Sequence, residues 1–446
     1  MSEKKSVQSN NDIDRDQSED ELKEKAKEYI SILQKVDEDG ILFARRVASE
    51  EDSRPRSEGQ YQRDYARIMY SSSFRRLQGK MQLLGIKNEK FFRNRLTHSL
   101  EVSQIAESIA DRLGYDEKDK FVVRAGALAH DIGNAPFGHA GERTLDEIFG
   151  EIGGFEGNAQ TMRVLTSLEL KSTKFKGLNL TYRTLLSVAK YHSKRQHDPK
   201  RSKFLYDKDF DLLEKFLQEN RLTSSVRTLD VQIVDIADEI AYAAHDLEDG
   251  LRQSSFTIDE VLHGFSEYII SNKNGNEKDK ELIEKFEDIV KETKKKCEYL
   301  ESNLDSSQYS RLFNQELTSR LVHELIHDLD FIDVSGDVKT KTRTQQKKEL
   351  NFKTLGALAH GLKEITFKCI NHTKDVRLYE KRGDILLRNL FELYSKNTDL
   401  LPPEYRVNKD EQLRKVCDYI AGMMDSYAIS EHKKLTGIDF DQINIL

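Results

Sequence analysis

Three features of this 446-residue chain predict an all-α fold. Glycine and proline, which interrupt helices, number only 23 and 5, and the three commonest residues, Leu, Lys and Glu, are good helix formers. Apolar residues also recur at three- and four-residue steps. In "LTHSLEVSQIAESIADRLG" (96–114), Val102, Ile105, Ala106, Ile109, Ala110 and Leu113 make one face, and Gly114 supplies a stop. Few segments read as strands. A short hairpin over 81–92, "MQLLGIKNEKFF", is the exception.

Along the chain, residues 1–50 are expected to hold a polar tail, disordered to about residue 20, and a charged helix over 21–38. Residues 51–255 alternate helical patterns with short loops and contain every feature that looks chemical. Residues 256–446 form a helical C-terminal region, broken by "LLPPEYR" (400–406). Within it, the Lys- and Glu-rich stretch 272–300 predicts a solvated helix of weak amphipathicity. "VSGDVKTKTRTQQKKE" (334–349) predicts a mobile basic loop, and "YHSKRQHDPKR" (191–201) a second basic loop.

The 71 basic and 78 acidic residues leave a formal charge of −7, which argues against a general nucleic-acid binder. The three cysteines, Cys297, Cys369 and Cys417, are far apart and form no CxxC pair, so neither a zinc cluster nor a disulfide framework is expected. The N-terminus lacks an apolar signal region, and no apolar run reaches about 18 residues. A cytoplasmic location with no membrane contact is the expectation.

Histidine and aspartate together suit a borderline divalent ion. The chain has four His-Asp dipeptides, at His130, His197, His245 and His327, so context must choose among them. His197-Asp198 lies in a basic loop. His327-Asp328 lies on a helix whose apolar stripe is Leu321, Val322, Leu325, Ile326 and Leu329, and reads as a polar face. His130-Asp131 ends the apolar helix "FVVRAGALAHDIG" and leads into "GNAPFGHAGE", which returns His139 and Glu142 three residues apart. In "DVQIVDIADEIAYAAHDLEDG" (230–250), Asp238, Tyr242 and Asp246 are spaced four apart and share one helix face. The other sides are too apolar for a surface helix, so these carboxylates need partners.

In this order the elements resemble the HD-domain metal-dependent phosphohydrolases. "SSFRRLQGKMQ", "NRLTHSLEVSQIA", "HDIGNAPFGHAGE", "FEGNAQTMRVL" and "ADEIAYAAHDLED" resemble, more narrowly, the deoxynucleoside triphosphate triphosphohydrolases, or dGTPases. The likeness spans about 55–430 and is most specific over 63–250. It implies an HD-domain helical bundle with additional C-terminal helices that complete the pocket and make oligomer contacts. It implies hydrolysis of a deoxynucleoside triphosphate (dNTP), dGTP included, to deoxynucleoside and inorganic tripolyphosphate. It further implies one divalent ion per subunit (Mn, Mg, Fe, Co, Ni or Zn) and a homo-tetramer or homo-hexamer. An activator nucleotide or single-stranded DNA at a second site is a candidate partner.

By that resemblance the metal ligands are His98, His130, Asp131 and Asp238. Asp235 competes, but the family's carboxylate stands four residues before a sugar-packing tyrosine, here Tyr242. His139 matches the catalytic histidine and Glu142 the acid that orients it. Arg95 matches a phosphate-contacting arginine, Lys190 and Tyr191 a phosphate-contacting pair, and Gln82 with Asp246 the pair that holds the sugar 3′-hydroxyl. Two departures stand out: His192 follows Lys190-Tyr191 where relatives often have proline, and Gly157 stands where many have histidine.

Two other readings compete. One is an HD phosphohydrolase acting on a different nucleotide, against which the "GNAPFGHAGE" and "YAAHD" segments argue. The other is a nucleic-acid-binding protein with a vestigial HD site, using the basic segments 191–201 and 338–349. Those segments lack interleaved aromatics beyond Tyr191.

Overall fold

The computed structural model describes residues 19–34, 44–47, 59–82, 93–195, 203–220, 222, 227–272, 277–298, 305–336, 344, 346–371, 374–406 and 409–445. Among these, helices carry nearly all the regular structure, as the composition predicts. The first helix, α1 (19–34), is charged outside but buries Leu22, Ala26, Ile30 and Leu33 in the main core. The tail before it and residues 35–38 lie outside the described residues.

The next helices of seven residues or more are α2 (Gly59–Met69), α3 (Arg95–Arg112) and α4 (Glu117–Ala129). α3 starts at Asn94 because a reciprocal cap holds it there. The Asn94 side chain accepts the Thr97 N–H, and the Thr97 hydroxyl accepts the Asn94 N–H. Asp116 caps α4 in the simpler way, accepting the Asp119 N–H. Met81 and Asn94 form an antiparallel bridge, and the rest of the expected hairpin, 83–92, lies outside the described residues.

There follow α5 (Gly138–Ile148), α6 (Gly157–Arg163), α7 (Asp207–Glu219), α8 (Leu229–Arg252), α9 (Ile258–Asn272), α10 (Glu277–Glu298) and α11 (Ser306–His327). α10 corrects the expectation of a weakly amphipathic solvated helix. Phe286, Ile289, Val290, Thr293 and Cys297 form one buried stripe, while Lys and Glu crowd the remaining faces and dilute the pattern.

A two-stranded antiparallel sheet, β1 (Leu329–Asp333) and β2 (Lys348–Phe352), is a second correction. Its register runs from Leu329 opposite Phe352 to Asp333 opposite Lys348. Lys348 and Glu349 therefore belong to a strand and not to a loop. Glu349 is buried, where it accepts a hydrogen bond from Arg227, and this contact fixes the end of the excursion against α8. The chain finishes with α12 (Gly356–Asn371), α13 (Lys374–Lys396), α14 (Lys409–Ala421) and α15 (Asp425–Thr436).

α8 is the central element, packed by α3, α4, α11 and α12. The larger apolar cluster gathers residues from Leu22 to Val376. A second, from Ala135 to Ile443, joins Phe137, Leu145 and Phe149 to Leu386, Leu387 and Leu390 of α13. The site lies where the two clusters meet.

Candidate active site

Thr228 caps α8 by accepting the Val231 N–H. Ile233, Ala237, Ile240, Ala241 and Ala244 are buried on the packed sides. The remaining stripe, Asp238, Tyr242 and Asp246, lines a cavity of about 800 Å³. Arg95, His130, Asp131, His139, Glu142, Gln82, Lys190 and Tyr191 line the same cavity. His98 lies fully buried on α3, its ring 5.0 Å from that of Tyr242.

At one end the two histidines converge on one carboxylate. His98 Nε2 is 3.1 Å and His130 Nε2 3.5 Å from Asp238 Oδ1, and His130 Nε2 is 3.6 Å from Asp131 Oδ1. His130 Nδ1 donates to the Ala127 carbonyl at 2.6 Å. That bond makes Nδ1 a donor and turns the buried Nε2, which has no hydrogen-bond partner among the described residues, toward the two carboxylates. Burial would lower the His130 pKa, yet Asp131 and Asp238 carry it up to about 9. An imidazole nitrogen facing two carboxylates favours a cation there, proton or metal, and this donor set fits a divalent ion. The candidate ligand atoms of His98, His130 and Asp238 lie within 4.8 Å of one another. Asp131 is shared: Oδ1 faces His130, while Oδ2 accepts from Arg95 at 2.6 Å. Burial opposes its ionisation, but Arg95 and His130 hold its pKa down to about 2.

Asp235, the competing carboxylate, is engaged elsewhere. It accepts from Arg227 at 2.7 Å and pairs with Lys190. The geometry groups Asp238, not Asp235, with the histidines.

His139 and Glu142 enter on α5. The chain reaches that helix through Phe137 and Gly138, both left-handed at φ 62° and 59°. Only the second is a residue that adopts such a φ freely. His139 Nδ1 lies 3.6 Å from Glu142 Oε2. Glu142 Oε1 accepts the Gly157 N–H at 3.1 Å and faces Lys203 at 3.4 Å. Burial would raise the Glu142 pKa, but His139, Lys203 and that amide hold it down to about 2.

At the far end, Asp246 and Gln82 are buried, and Asp246 Oδ1 and Gln82 Oε1 have no hydrogen-bond partner among the described residues. Burial, reinforced by Asp249, pushes the Asp246 pKa up to about 8 against the pull of Arg93 and Lys363. The adjacent His245 faces away, 3.1 Å from Glu101, so this His-Asp dipeptide is split between two sides of α8. Asp328 of His327-Asp328 is structural: it accepts the Thr354 and Leu355 N–H groups ahead of α12. His197-Asp198 and residues 196–202 lie outside the described residues.

Sequence reasoning missed the wall opposite α8. From α12, His360, Lys363 and Phe367 reach the cavity, and the Lys363 amine lies 4.4 Å from the Tyr242 ring centroid. Lys203 and Asn134 were missed too. Asn134 sits inside the quoted "HDIGNAPFGHAGE"; the others carry no local signal, being single polar residues in ordinary surroundings.

The fold and its His/Asp cluster define the HD class of phosphohydrolase, and the HD domain model matches residues 95–243. The phosphohydrolase-associated domain model matches 353–434. Deoxyguanosinetriphosphate triphosphohydrolase-like protein 2 of Vibrio cholerae is 43% identical over 422 residues, covering 94% of this chain and 96% of its own. Deoxyguanosinetriphosphate triphosphohydrolase-like proteins of Geobacter sulfurreducens and Bradyrhizobium diazoefficiens are 33% and 32% identical, covering 84% and 87% of this chain and 88% and 93% of their own. The chain belongs to the deoxyguanosinetriphosphate triphosphohydrolase-like family of HD-domain hydrolases. HD domains are metal-dependent, and the His/Asp cluster here can bind a metal. Among the described residues, no helix is long and apolar enough to cross a membrane.

Proposed function

We propose that this hydrolase converts deoxynucleoside triphosphates, dGTP among them, to deoxynucleoside and inorganic tripolyphosphate. The observation that carries the reading is the stripe on α8. One helix face runs from the carboxylate of the metal cluster, Asp238, through an aromatic ring, Tyr242, to a buried carboxyl, Asp246, whose Oδ1 has no hydrogen-bond partner among the described residues. That sequence matches a phosphate, a sugar ring and a 3′-hydroxyl in order. The volume of about 800 Å³ suits a nucleotide.

His98, His130, Asp131 and Asp238 would hold the ion, which when bound supplies Lewis-acid polarisation and a more acidic water. Arg95, held by Asp131, and Lys190, held by Asp235, are cations set to receive triphosphate oxygens. Water adds to the α-phosphorus, the bond from phosphorus to O5′ breaks, and O5′ leaves with a proton. His139 carries that proton traffic. Glu142, anionic behind it, orients the ring. The Tyr242 ring fills the space a 2′-hydroxyl would need and offers it no partner. Asp246 and Gln82 bond the 3′-hydroxyl.

The test is a panel of the four dNTPs, singly and in pairs, with Mg²⁺, Mn²⁺ and Co²⁺. Tripolyphosphate and deoxynucleoside are the expected products. Release of pyrophosphate or orthophosphate in their place overturns the reading.

A further inference from the structure

We infer that Asp425, in the C-terminal region, is a positioning residue that sets the catalytic turn before His139 and the backbone before Gln82 at the same time. The inference rests on the substrate reading above for the roles of those two residues, and on geometry for the rest.

Asp425 is the first residue of α15 and is 6% exposed. Its Oδ1 accepts the Phe137 N–H at 3.0 Å, and its Oδ2 accepts the Met81 N–H at 3.1 Å and the Tyr379 hydroxyl at 3.4 Å. Phe137 precedes His139 by two residues and Met81 precedes Gln82 by one. A single carboxylate therefore holds the backbone beside both residues. Phe137 needs such a partner. It holds a left-handed φ with a side chain attached, a conformation that persists only where the surroundings impose it. It also stands at the N-cap of α5, where its own side chain offers no cap. The ring is held as well: Tyr379 lies 5.4 Å and Phe440 6.0 Å away between centroids. A Cβ on Gly383 would come within 2.6 Å of that ring, so glycine there lets α13 close on the turn. Lys80 ties the same segments again, donating to the carbonyls of Asn134 and Ala421.

Three donors converge on two oxygens, which suits a carboxylate and not an amide. In Asp425→Asn the NH₂ group must face at least one of the two backbone N–H donors. Shape and volume are otherwise kept.

The experiment measures kcat, KM, dNTP-over-dideoxynucleotide preference, bound metal and melting temperature in Asp425→Asn, with amide exchange at Phe137 and Met81 in both proteins. The expected result has three parts. kcat falls by about 10–10²-fold, the scale of an ångström-sized misplacement. Metal content is retained, and preference for the 3′-hydroxyl falls by about tenfold as Gln82 loses its register. In the wild-type chain both amides exchange slowly although neither bonds within a helix, and in the variant at least one speeds up. A lower melting temperature with unchanged kcat, KM and preference shows a merely structural link and overturns the inference. So does fast exchange of both amides in the wild-type chain, whether or not the variant folds. If the wild-type chain yields no tripolyphosphate from any dNTP, the substrate reading fails by itself, and amide exchange alone decides whether Asp425 holds the two segments.

Discussion

Asp238 and Asp246 share one face of one helix, two turns apart, and the protein treats them in opposite ways. Desolvation opposes the ionisation of both, Asp246 being buried and Asp238 partly so. At Asp238, His130 and His98 override that burial and hold the carboxyl well below its usual range. At Asp246, Asp249 adds to it, and the pKa rises to about 8 despite Arg93 and Lys363. One end of the stripe is thus a permanent anion suited to a cation. The other is a carboxylic acid, neutral at pH 7, that can donate as well as accept. Burial sets the scale for both, and the neighbours decide the sign.

The largest effect expected from breaking this contrast is at the anionic end. Asp238→Ala should lose bound metal, read by elemental analysis, and all turnover with it. A variant that keeps stoichiometric metal would move the ligand role to another carboxylate. Next comes the proton carrier: His139→Ala should lower turnover by about 10²-fold or more while metal content holds. Metal lost together with activity would make His139 a ligand.

The neutral end should show smaller, selective effects. Tyr242→Ala should relax discrimination against ribonucleotides, and Asp246→Ala should relax discrimination against 2′,3′-dideoxynucleotides. Each change should be about 10–100-fold in the ratio of kcat/KM values, the scale of about 1–3 kcal/mol for one unsatisfied buried group. Wild-type enzyme that hydrolyses GTP as well as dGTP would remove the basis for the sugar stripe.

The smallest effect is on stability. Asp246 ionises less readily folded than unfolded. Between the ordinary aspartate value of 3.8 and about 8 the unfolded chain therefore gives up its proton first, and wild-type stability falls as pH rises. Asp246→Asn carries no such group. Its Tm relative to wild type should improve from about pH 5 to about pH 8.5, by the equivalent of about 1 kcal/mol or more. A constant difference would mean that Asp246 stays ionised.

The α8 stripe was legible because helical spacing alone puts Asp238, Tyr242 and Asp246 on one face. Its choice over Asp235 was less so, since only the fold shows that Arg227 and Lys190 occupy Asp235. The α10 stripe was readable at steps of three and four from Phe286, but the lysines around it hid it. β1 and β2 are five residues each and meet across an intervening segment, so pairing, not propensity, makes them strands. Lys80 sits inside the quoted "SSFRRLQGKMQ" and Asp425 inside "RKVCDYIAGMMDSYA", yet nothing in either segment assigns them a role. Their partners are backbone groups far away in the chain, and a backbone N–H or carbonyl looks the same at every position.

The distance between Phe137 and Asp425 also sets an order of events in biosynthesis. The two are 288 residues apart, and Met81 is 344 from the same carboxylate. At ordinary translation rates of about 5–20 residues per second the turn before His139 is made about 15–60 s before the residue that binds it. Every metal-cluster residue and the His139–Glu142 pair have emerged by then, yet the left-handed turn still lacks its acceptor. A ribosome stalled just short of residue 425 would hold a nascent chain with its metal-cluster and His139–Glu142 groups and without the tie between the turn before His139 and the backbone before Gln82.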